Sequence, residues 1–405
     1  MNTDASHLQA PTSPQRVVIV GAGLLGGSLL AALQSRRVIH GGAWHLTAVS
    51  SEATLAGLRR RAWCDALHPY DQLGDACDGA DIVLLCTPLT TIRQQLTTIA
   101  TLRDRLAPRA IVMDVGSTKA EICAHGFLAF PSDSSDAPRF VGGHPMAGSE
   151  KSGLDAADPL LYQSALWVLC PPPDLPSTRL DGVRSLIRDI GARLAIIDPA
   201  RHDAAVARIS HVPQVLASTL ADWAGADAAL TDAALTLAAG GFRDMSRLAL
   251  SSWDIWRDIV ATNRAPIAAG LSELAARLAV LADAAHRWEA DGAVDSPTRS
   301  TEANGEAAFR ATFTGGKALR QRFHMPRKGI LHDLSEFVVR IEDRPGQLLA
   351  LFAPLAAEGI NVQDLEILKV REGESGTILI GFATPLDAAQ ARGVLESHGF
   401  ALFDR

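Results

Sequence analysis

The 405-residue chain lacks the features that mark secreted, membrane-spanning and nucleic-acid-binding proteins. Its five cysteines form no CxxC pair, which is typical of reduced thiols in a cytoplasmic protein. No run of about 18 apolar residues occurs, so we expect no membrane span. No dense basic run occurs either, and the net charge is -7, which argues against nucleic acid or a membrane surface as a partner. The twelve histidines contain no HxxxH or HExxH pair, so we expect no metal.

What is present is an ordinary globular composition. Hydrophobic residues make up 47% of the chain and charged residues 20%, enough for sizeable cores, and the length suggests two or three domains. The changes of pattern along the chain predict a disordered tail, a dinucleotide-binding domain, a helical substrate and dimerisation domain, a linker with a short helix, and a regulatory α+β domain. These segments are residues 1–14, 15–175, 176–288, 289–333 and 334–405.

Three sequence textures support that division. Short Val/Ile/Leu runs such as DIVLLCTP and AIVMDVGS recur at α/β spacing, which predicts a doubly wound Rossmann-type parallel sheet. Alanine and leucine then recur at helical spacing, which predicts an all-helical domain. The last segment reads β-α-β-β-α-β, the order of a ferredoxin-like domain. The fold class is therefore α/β, followed by all-helical and ferredoxin-like parts.

A glycine-rich turn follows the first predicted strand. The spacing GxGxxG allows a tight turn, close approach of a pyrophosphate to the backbone, and close packing of a helix on the strand. The alternative is a glycine-tolerant turn without a ligand. Strand and helix context favours a dinucleotide site, with cofactor-binding candidates Gly21, Gly23, Leu24, Leu25, Gly26, Ser50, Thr87 and Pro88.

The end of the second predicted strand bears on the choice of cofactor. An acidic residue there would bond the ribose hydroxyls of NAD, whereas this chain has Ser50 and Ser51, followed by Glu52. A serine tolerates a 2′-phosphate better than an aspartate does. We expect NAD, with NADP as the open alternative.

The blocks GAGLLGGS, DVGSTK, GGHPMAGSEKSG, SHVPQ and GGFRDMSRLALSSWDIWRDIVATN occur in this order. With them the chain resembles the prephenate and arogenate dehydrogenases, and VVRIEDRPGQLLALFAPLAAEGINV resembles an ACT domain. The resemblance implies oxidation of prephenate, or of its amino analogue arogenate, by NAD or NADP with release of carbon dioxide. It also implies a homodimer formed through the helical domain.

The resemblance further implies roles for individual residues. His144 corresponds to the base that takes the substrate's hydroxyl proton, and flanking glycines would let nicotinamide and substrate approach. Ser117 corresponds to a serine that contacts that hydroxyl, although it is also a candidate helix cap. Substrate-binding candidates are Arg247, Arg243, Ser210, His211, Gln214 and Glu150.

Several of these assignments have plain alternatives. The two arginines fit a surface pair with Asp244 or Asp254, Glu150 fits a salt bridge with Lys151, and His211 fits a satisfied buried histidine. Many prephenate-type members carry a second histidine where this chain has Gln214, which leaves the substrate preference open. Pro213 lies inside a helical pattern and predicts a kink beside Ser210 and His211.

In ACT domains two loops hold an amino acid across a subunit interface. The matching effector-binding candidates here are Asp343, Arg344, Gly346 and Asn361, and the implied effector is tyrosine. An oligomerisation module with an empty site is the alternative.

Two other functions remain in competition. The β-hydroxyacid dehydrogenases share the domain order but use a catalytic lysine and lack the GGHPMAG block. An amino-acid-sensing regulator that binds NAD without turnover is a more distant hypothesis, which the set of His144, Ser117 and Arg247 disfavours.

Overall fold

The computed structural model describes residues 15–40, 44–148, 151–288, 305–322, 334–342, 344–371 and 375–403. The chain divides into two compact units between Ala311 and Thr312. Each unit has a sheet of its own.

An eight-stranded sheet organises the first unit, in the order β3-β2-β1-β4-β5-β6-β7-β8. Its strands are β1 Gln15–Val20, β2 Trp44–Ser50, β3 Ala66–Pro69, β4 Ile82–Leu85, β5 Ile111–Asp114, β6 Arg139–Pro145, β7 Leu166–Cys170 and β8 Arg193–Ile196. In this spatial order, each of the first six strands is parallel to its neighbours among those six. The pair β6 and β7 is antiparallel, and the pair β7 and β8 is parallel. The strand order reverses between β1 and β4, which is where such sheets bind ligands.

Helices cover both faces of this sheet. They are α1 Leu24–His40, α2 Glu52–Arg61, α3 Leu73–Ala76, α4 Leu89–Thr101, α5 Ala120–Ala129 and α6 Asp181–Asp189. Alternate residues of β1 enter different cores: Val17 and Ile19 pack on one face, Val18 and Val20 on the other. Burial on both faces explains why the strand sequences are continuous apolar runs.

The sheet extends further along the chain than the sequence suggested. We expected the nucleotide domain to end at residue 175, but α6 and β8 follow that point, and β8 pairs with β7 from Leu166↔Arg193 to Leu169↔Ile196. The boundary with the helical part therefore lies after Ile196. The proline-rich stretch that suggested the earlier boundary is a loop inside the domain.

The remainder of the first unit is helical: α7 Pro199–Val206, α8 Val212–Gly225, α9 Ala228–Leu237, α10 Gly240–Ser246, α11 Trp253–Thr262 and α12 Arg264–His286. A further helix, α13 Glu306–Arg322, contains the division between the two units. A π-helical turn, Ala207–His211, joins α7 to α8 directly before Pro213. The predicted irregularity is therefore present, as a wide turn that accommodates the proline.

The second unit has the predicted ferredoxin-like order: β9 Ser335–Ile341, α14 Gln347–Ala357, β10 Asp364–Arg371, β11 Ser375–Phe382, α15 Pro385–Ser397 and β12 Ala401–Phe403. Its sheet order is β10-β11-β9-β12, and each neighbouring pair is antiparallel. Phe337, Leu351, Ile380 and Leu395 belong to a separate core, as expected for an ACT-type unit.

Candidate active site

The glycine loop has the geometry of a dinucleotide cradle. Gly21 has φ +93°, and a Cβ there would lie 2.6 Å from Thr87 Cγ2. A Cβ on Gly26 would lie 2.0 Å from the Gly21 carbonyl oxygen, so both positions require glycine for packing. A Cβ on Gly23 would meet nothing within 4 Å. Gly23 therefore borders open space at the start of α1, where free N–H groups can face a pyrophosphate.

The other cofactor candidates surround this loop. Leu24 begins α1, and the Leu25 carbonyl oxygen accepts a 2.7 Å hydrogen bond from the Tyr162 hydroxyl. Thr87 donates to Gln95 Oε1 at 2.7 Å, and the exposed Pro88 directly precedes α4. These residues follow β1 and β4, so they lie at the edge where the strand order reverses.

Ser50 has a different environment from the one we expected. Its hydroxyl is buried and accepts a 3.4 Å hydrogen bond from the Ala22 amide, so it stabilises the backbone of the glycine loop. The exposed side chains at this end of β2 are Ser51 and Glu52.

His144 lies on a strand and not in a turn. It belongs to β6 and pairs with Val168 of β7. A Cβ on Gly142 would lie 2.4 Å from Cys123 Sγ, and one on Gly143 would lie 2.4 Å from the Asp114 carbonyl oxygen. We had attributed these glycines to the approach of nicotinamide and substrate. The structure gives them another role, because close packing of β6 against its neighbours leaves no room for a side chain.

The His144 ring is the first member of a hydrogen-bonded series. Its Nδ1 lies 2.9 Å from His202 Nε2, and His202 Nδ1 lies 2.8 Å from Asp203 Oδ1. His202 and Asp203 are buried, while His144 is half-buried. Burial, the nearby Lys119 ammonium and the two neighbouring histidines, His202 and His211, hold the pKa of His144 well below its usual range. The ring is therefore neutral and able to accept a proton at neutral pH.

A buried ion pair holds the loop beside His144. The Lys119 ammonium contacts Asp114 Oδ2, and both side chains have no exposed surface. The Asp114 carboxylate also accepts hydrogen bonds from the amides of Gly116 at 2.8 Å and Gly143 at 3.0 Å. One carboxylate thus joins the end of β5, β6 and the loop of residues 116–119, which we call the GSTK loop.

Ser117 lies in this loop, half-buried, and its hydroxyl has no hydrogen-bond partner among the described residues. It is not the cap of α5. The Asp203 carboxylate takes that role by accepting from the amides of Lys119 at 2.7 Å and Ala120 at 2.8 Å. Thr118 instead bonds Thr262 across to the helical part at 2.8 Å. The Ser117 hydroxyl is therefore available for a ligand.

His211 is buried in the helical part of the site. Its Nδ1 lies 3.0 Å from Asn263 Nδ2, which also donates to the Asp203 carbonyl oxygen at 2.9 Å. Burial is the main cause that lowers the pKa of His211 to about 4, and Trp256 packs edge-on to the ring at 5.8 Å. The half-buried Ser210 precedes it in the π-helical turn.

Gln214 uses both ends of its amide within the protein. Its Nε2 donates to the Leu248 carbonyl oxygen at 2.6 Å, and its Oε1 accepts from the Ser251 hydroxyl at 3.3 Å. We expected Gln214 to bind substrate. In the structure it hydrogen-bonds the 3₁₀ turn Arg247–Leu250 to α8, and it therefore holds in place the segment that contains Arg247.

Arg247 begins that 3₁₀ turn and Arg243 lies in the last turn of α10. Both are exposed, and neither forms an ion pair with Asp244, Asp254 or another of the described residues. The surface-pair alternative is therefore not what this chain shows. Glu150 lies outside the described residues.

Several residues of this network had no predicted role. His202 and Asp203 were not assigned a role, and neither were Asn263, Lys119 and Asp114. The adjacent His-Asp pair was a usable signal, because a carboxylate next to an imidazole often orients it. The described residues contain no group of three or more His, Cys, Asp or Glu side chains that could hold a metal ion.

The effector candidates belong to the second unit. Arg344 and Gly346 line a cavity of about 600 Å³, together with Ile341, Leu349, Ile367, Ile378 and neighbouring residues. Arg344 Nε pairs with Glu342 Oε2 at 2.6 Å. Asn361 is exposed and does not line this cavity, and Asp343 lies outside the described residues.

Comparison with known proteins identifies the first unit. The prephenate dehydrogenase nucleotide-binding domain matches residues 47–196, and the prephenate dehydrogenase dimerization domain matches residues 198–294. Together the two matches cover more than half of the chain. The chain belongs to the prephenate dehydrogenase family. It is accordingly an NAD-dependent oxidoreductase with a Rossmann domain and a dimerisation domain, which fits a role in tyrosine biosynthesis. The C-terminal unit has the ferredoxin-like order described above.

Relatives and solved structures agree with this assignment. The Bacillus subtilis prephenate dehydrogenase is 28% identical over 386 residues, which cover 94% of this chain and 95% of that protein. The Synechocystis arogenate dehydrogenase structure has a TM-score of 0.61 at 27% identity and covers 76% of this chain and all of that one. The A. aeolicus prephenate dehydrogenase, solved with hydroxyphenyl propionate and NAD+, has a TM-score of 0.59 at 25% identity, with 76% and 98% of the two chains covered.

One helix within the described ranges, α12, is long and apolar enough by length and composition to cross a membrane. Only 6% of its apolar window is buried in this single chain, and the helix lies in the part that matches the dimerization domain.

Proposed function

We propose that this protein catalyses the oxidative decarboxylation of prephenate to 4-hydroxyphenylpyruvate, with His144 as the general base. One observation carries the proposal. A neutral imidazole lies near the carboxyl end of β6, on the same sheet edge as the glycine loop that follows β1. Parallel strands bring their carboxyl ends to one edge, so base and dinucleotide loop border the same crevice.

The chemistry requires a base and fixed cations. The substrate's ring carbon loses a hydride while its hydroxyl loses a proton, and the ring carboxylate leaves as carbon dioxide when the ring becomes aromatic. The phenolate so formed takes a proton back to give the phenol of the product. Bound NAD supplies the hydride acceptor. His144 takes the hydroxyl proton, and its lowered pKa keeps the accepting nitrogen free at neutral pH. The Ser117 hydroxyl beside it orients the substrate hydroxyl.

Arg247 and Arg243 are assigned to the substrate carboxylates. Both are exposed and unpaired among the described residues, and a guanidinium binds a carboxylate through two parallel hydrogen bonds. Ser210 and His211 are assigned to the helical side of the site, where Asn263 links His211 to Asp203. Gln214 positions the turn of Arg247.

A two-by-two assay tests the activity directly: prephenate and arogenate, each with NAD and with NADP. We expect NADH formation with prephenate. His144→Asn should lower kcat/KM by about 100-fold to 10,000-fold, the range of general base catalysis. Arg247→Ala should raise KM for prephenate by about 10-fold to 100-fold through loss of charged hydrogen bonds. Arg287→Ala, an exposed arginine on the same helical part, is the control. An unaffected His144→Asn variant would refute the assignment of the base.

The arogenate alternative has its own support. A Synechocystis relative is an arogenate dehydrogenase, and a Zymomonas mobilis relative, 27% identical over 250 residues, is a cyclohexadienyl dehydrogenase. Gln214 also stands where many prephenate-type members have a histidine. Turnover of arogenate faster than prephenate in the same assay would favour this reading. No turnover of either substrate would favour an NAD-binding regulator.

The C-terminal unit is assigned to feedback inhibition by tyrosine. Its cavity combines apolar side chains, Leu349 and Ile367 among them, with the Arg344 guanidinium, a combination that suits an aromatic amino acid. Calorimetric titration with tyrosine, with alanine as the control ligand, tests this. Heat with tyrosine alone, and inhibition that is lost in Arg344→Ala, is the expected result. No heat and unchanged activity would leave oligomerisation as the role of the unit.

The chain is further assigned to a cytoplasmic homodimer. The match to the dimerization domain supports the dimer, and the free cysteines support a reducing compartment.

A further inference from the structure

The buried pair His202–Asp203 lies behind the proposed base and has no assigned role. Each side-chain nitrogen and oxygen of the pair has at least one hydrogen-bond partner. Asp203 Oδ1 faces the Lys119 amide at 2.7 Å and His202 Nδ1 at 2.8 Å, and Oδ2 faces the Ala120 amide at 2.8 Å. His202 Nε2 then faces His144 Nδ1 at 2.9 Å.

The directions of these hydrogen bonds follow from the two amides. A backbone N–H can only donate, so both carboxylate oxygens act as acceptors, as an ionised carboxylate requires. His202 Nδ1 must therefore carry the proton that it shares with Oδ1. In the neutral ring His202 Nε2 is then an acceptor, and His144 must donate from Nδ1. This leaves the lone pair of His144 on Nε2, the ring nitrogen outside the series.

The surrounding charges favour this neutral arrangement. The Lys119 ammonium lies near His144, the positive end of α5 lies at Asp203, and His211 is a third neighbouring imidazole. Asp114 neutralises Lys119. The buried Asp203 carboxylate, 2% exposed, supplies the negative charge that offsets the proton His144 holds during turnover.

We propose that His202 and Asp203 are positioning residues that hold His144 in the Nδ1–H tautomer, so that Nε2 is the base. The inference rests on the proposed function, in which His144 is that base. The tautomer can nevertheless be tested apart from that function, because it is a property of the protein without substrate or cofactor.

Two substitutions of one residue separate this role from a structural one. His202→Gln keeps an oxygen that can accept from His144 Nδ1–H, whereas His202→Leu removes the acceptor at similar size. We expect His202→Leu to lower kcat by about 100-fold, within the range of general base catalysis. KM for prephenate should stay within about threefold, since binding groups are untouched, and His202→Gln should recover most of kcat.

Nitrogen-15 NMR of histidine-labelled protein provides a readout apart from activity. Two-bond proton–nitrogen correlations distinguish the two neutral tautomers, and the His144 signals are assigned by their loss in His144→Asn. We expect the Nδ1–H form in the unliganded protein and a mixture of tautomers in His202→Leu. This spectrum of the unsubstituted protein also decides the question if His202→Leu fails to fold.

Three outcomes would count against the proposal. An Nε2–H form of His144 would show that His202 donates, contrary to the inference. Full kcat in His202→Leu, with His144→Asn inactive, would refute the positioning role and leave the base assignment intact. Full kcat in His144→Asn would refute the base assignment itself.

Discussion

At the scale of single residues, the glycines of the nucleotide loop and of β6 differ in the space around them. Gly21, Gly26, Gly142 and Gly143 each face an atom at 2.6 Å or less from an added Cβ, whereas Gly23 faces none within 4 Å. Packing therefore requires glycine at four of these five positions, whereas the fifth borders open space.

This contrast predicts separable effects of alanine. Gly23→Ala should leave the free energy of unfolding within about 1 kcal/mol, the helix propensity difference, yet weaken NAD binding because the methyl group occupies the path of the pyrophosphate. Gly143→Ala should destabilise the fold, since the backbone of β6 must move away from Asp114. Urea unfolding and NADH fluorescence titration measure the two effects. Unchanged NAD affinity in Gly23→Ala would contradict the cradle.

His211 predicts a pH dependence of stability. Its pKa is about 4 in the folded protein and about 6.5 in an unfolded chain, so between these values only the unfolded state binds the proton. The free energy of unfolding is therefore not reduced by this residue above about pH 6.5. Below that pH His211 lowers it by up to about 1.4 kcal/mol per pH unit. His144, with its lowered pKa, acts in the same direction.

The measurement is urea unfolding at pH 7, 6 and 5. The decrease between pH 7 and pH 5 should be smaller in His211→Asn, whose side chain does not titrate. An equal decrease in both proteins would show that His211 is not held neutral.

At the scale of elements, the site depends on a junction of β5, the GSTK loop and β6. The sequence showed the two strands and the loop as separate motifs. The structure joins them through one buried carboxylate, Asp114, with Lys119 as its counterion. Likewise the proline in the helical pattern predicted an irregularity, which the structure realises as a π-helical turn ending at His211.

Breaking this junction should be costly. Lys119→Met leaves an uncompensated buried charge, and we expect a loss of about 3–5 kcal/mol in the free energy of unfolding. The control is Arg277→Ala, which removes an exposed pair with Glu273 and should cost less than about 1 kcal/mol. Denaturant unfolding of the unsubstituted protein and of the two variants measures both losses. Equal free energies of unfolding in all three would contradict the importance of the buried pair.

At the scale of the whole molecule, the helical part of this single chain exposes many large apolar side chains. Leu230, Leu235 and Leu237 of α9 are 61–79% exposed, and Leu250 is 85% exposed. Apolar surface of this extent is typical of subunit interfaces, in keeping with the dimerization-domain match.

We therefore expect a dimer that a charge on α9 dissociates. Leu235→Glu should shift the mass measured by light scattering towards the monomer, because an interface cannot bury the carboxylate unpaired. Leu128→Glu is the matched control, since Leu128 is 83% exposed on α5 of the nucleotide domain. A Leu235→Glu protein that remains dimeric would place the interface elsewhere.

The sequence by itself determined the order of domains, the glycine loop, the family and the identity of most candidate residues, because these depend on periodicity and local motifs. The tertiary structure alone decided which polar atoms meet. His202 and Asp203 lie 58 and 59 positions after His144, and β8 lies beyond a proline-rich loop, so no local pattern links them to the site or the sheet. Burial and hydrogen bonding act between residues distant in the chain, which is why the neutral histidine, its neighbours and the packing role of its glycines emerged only from the fold.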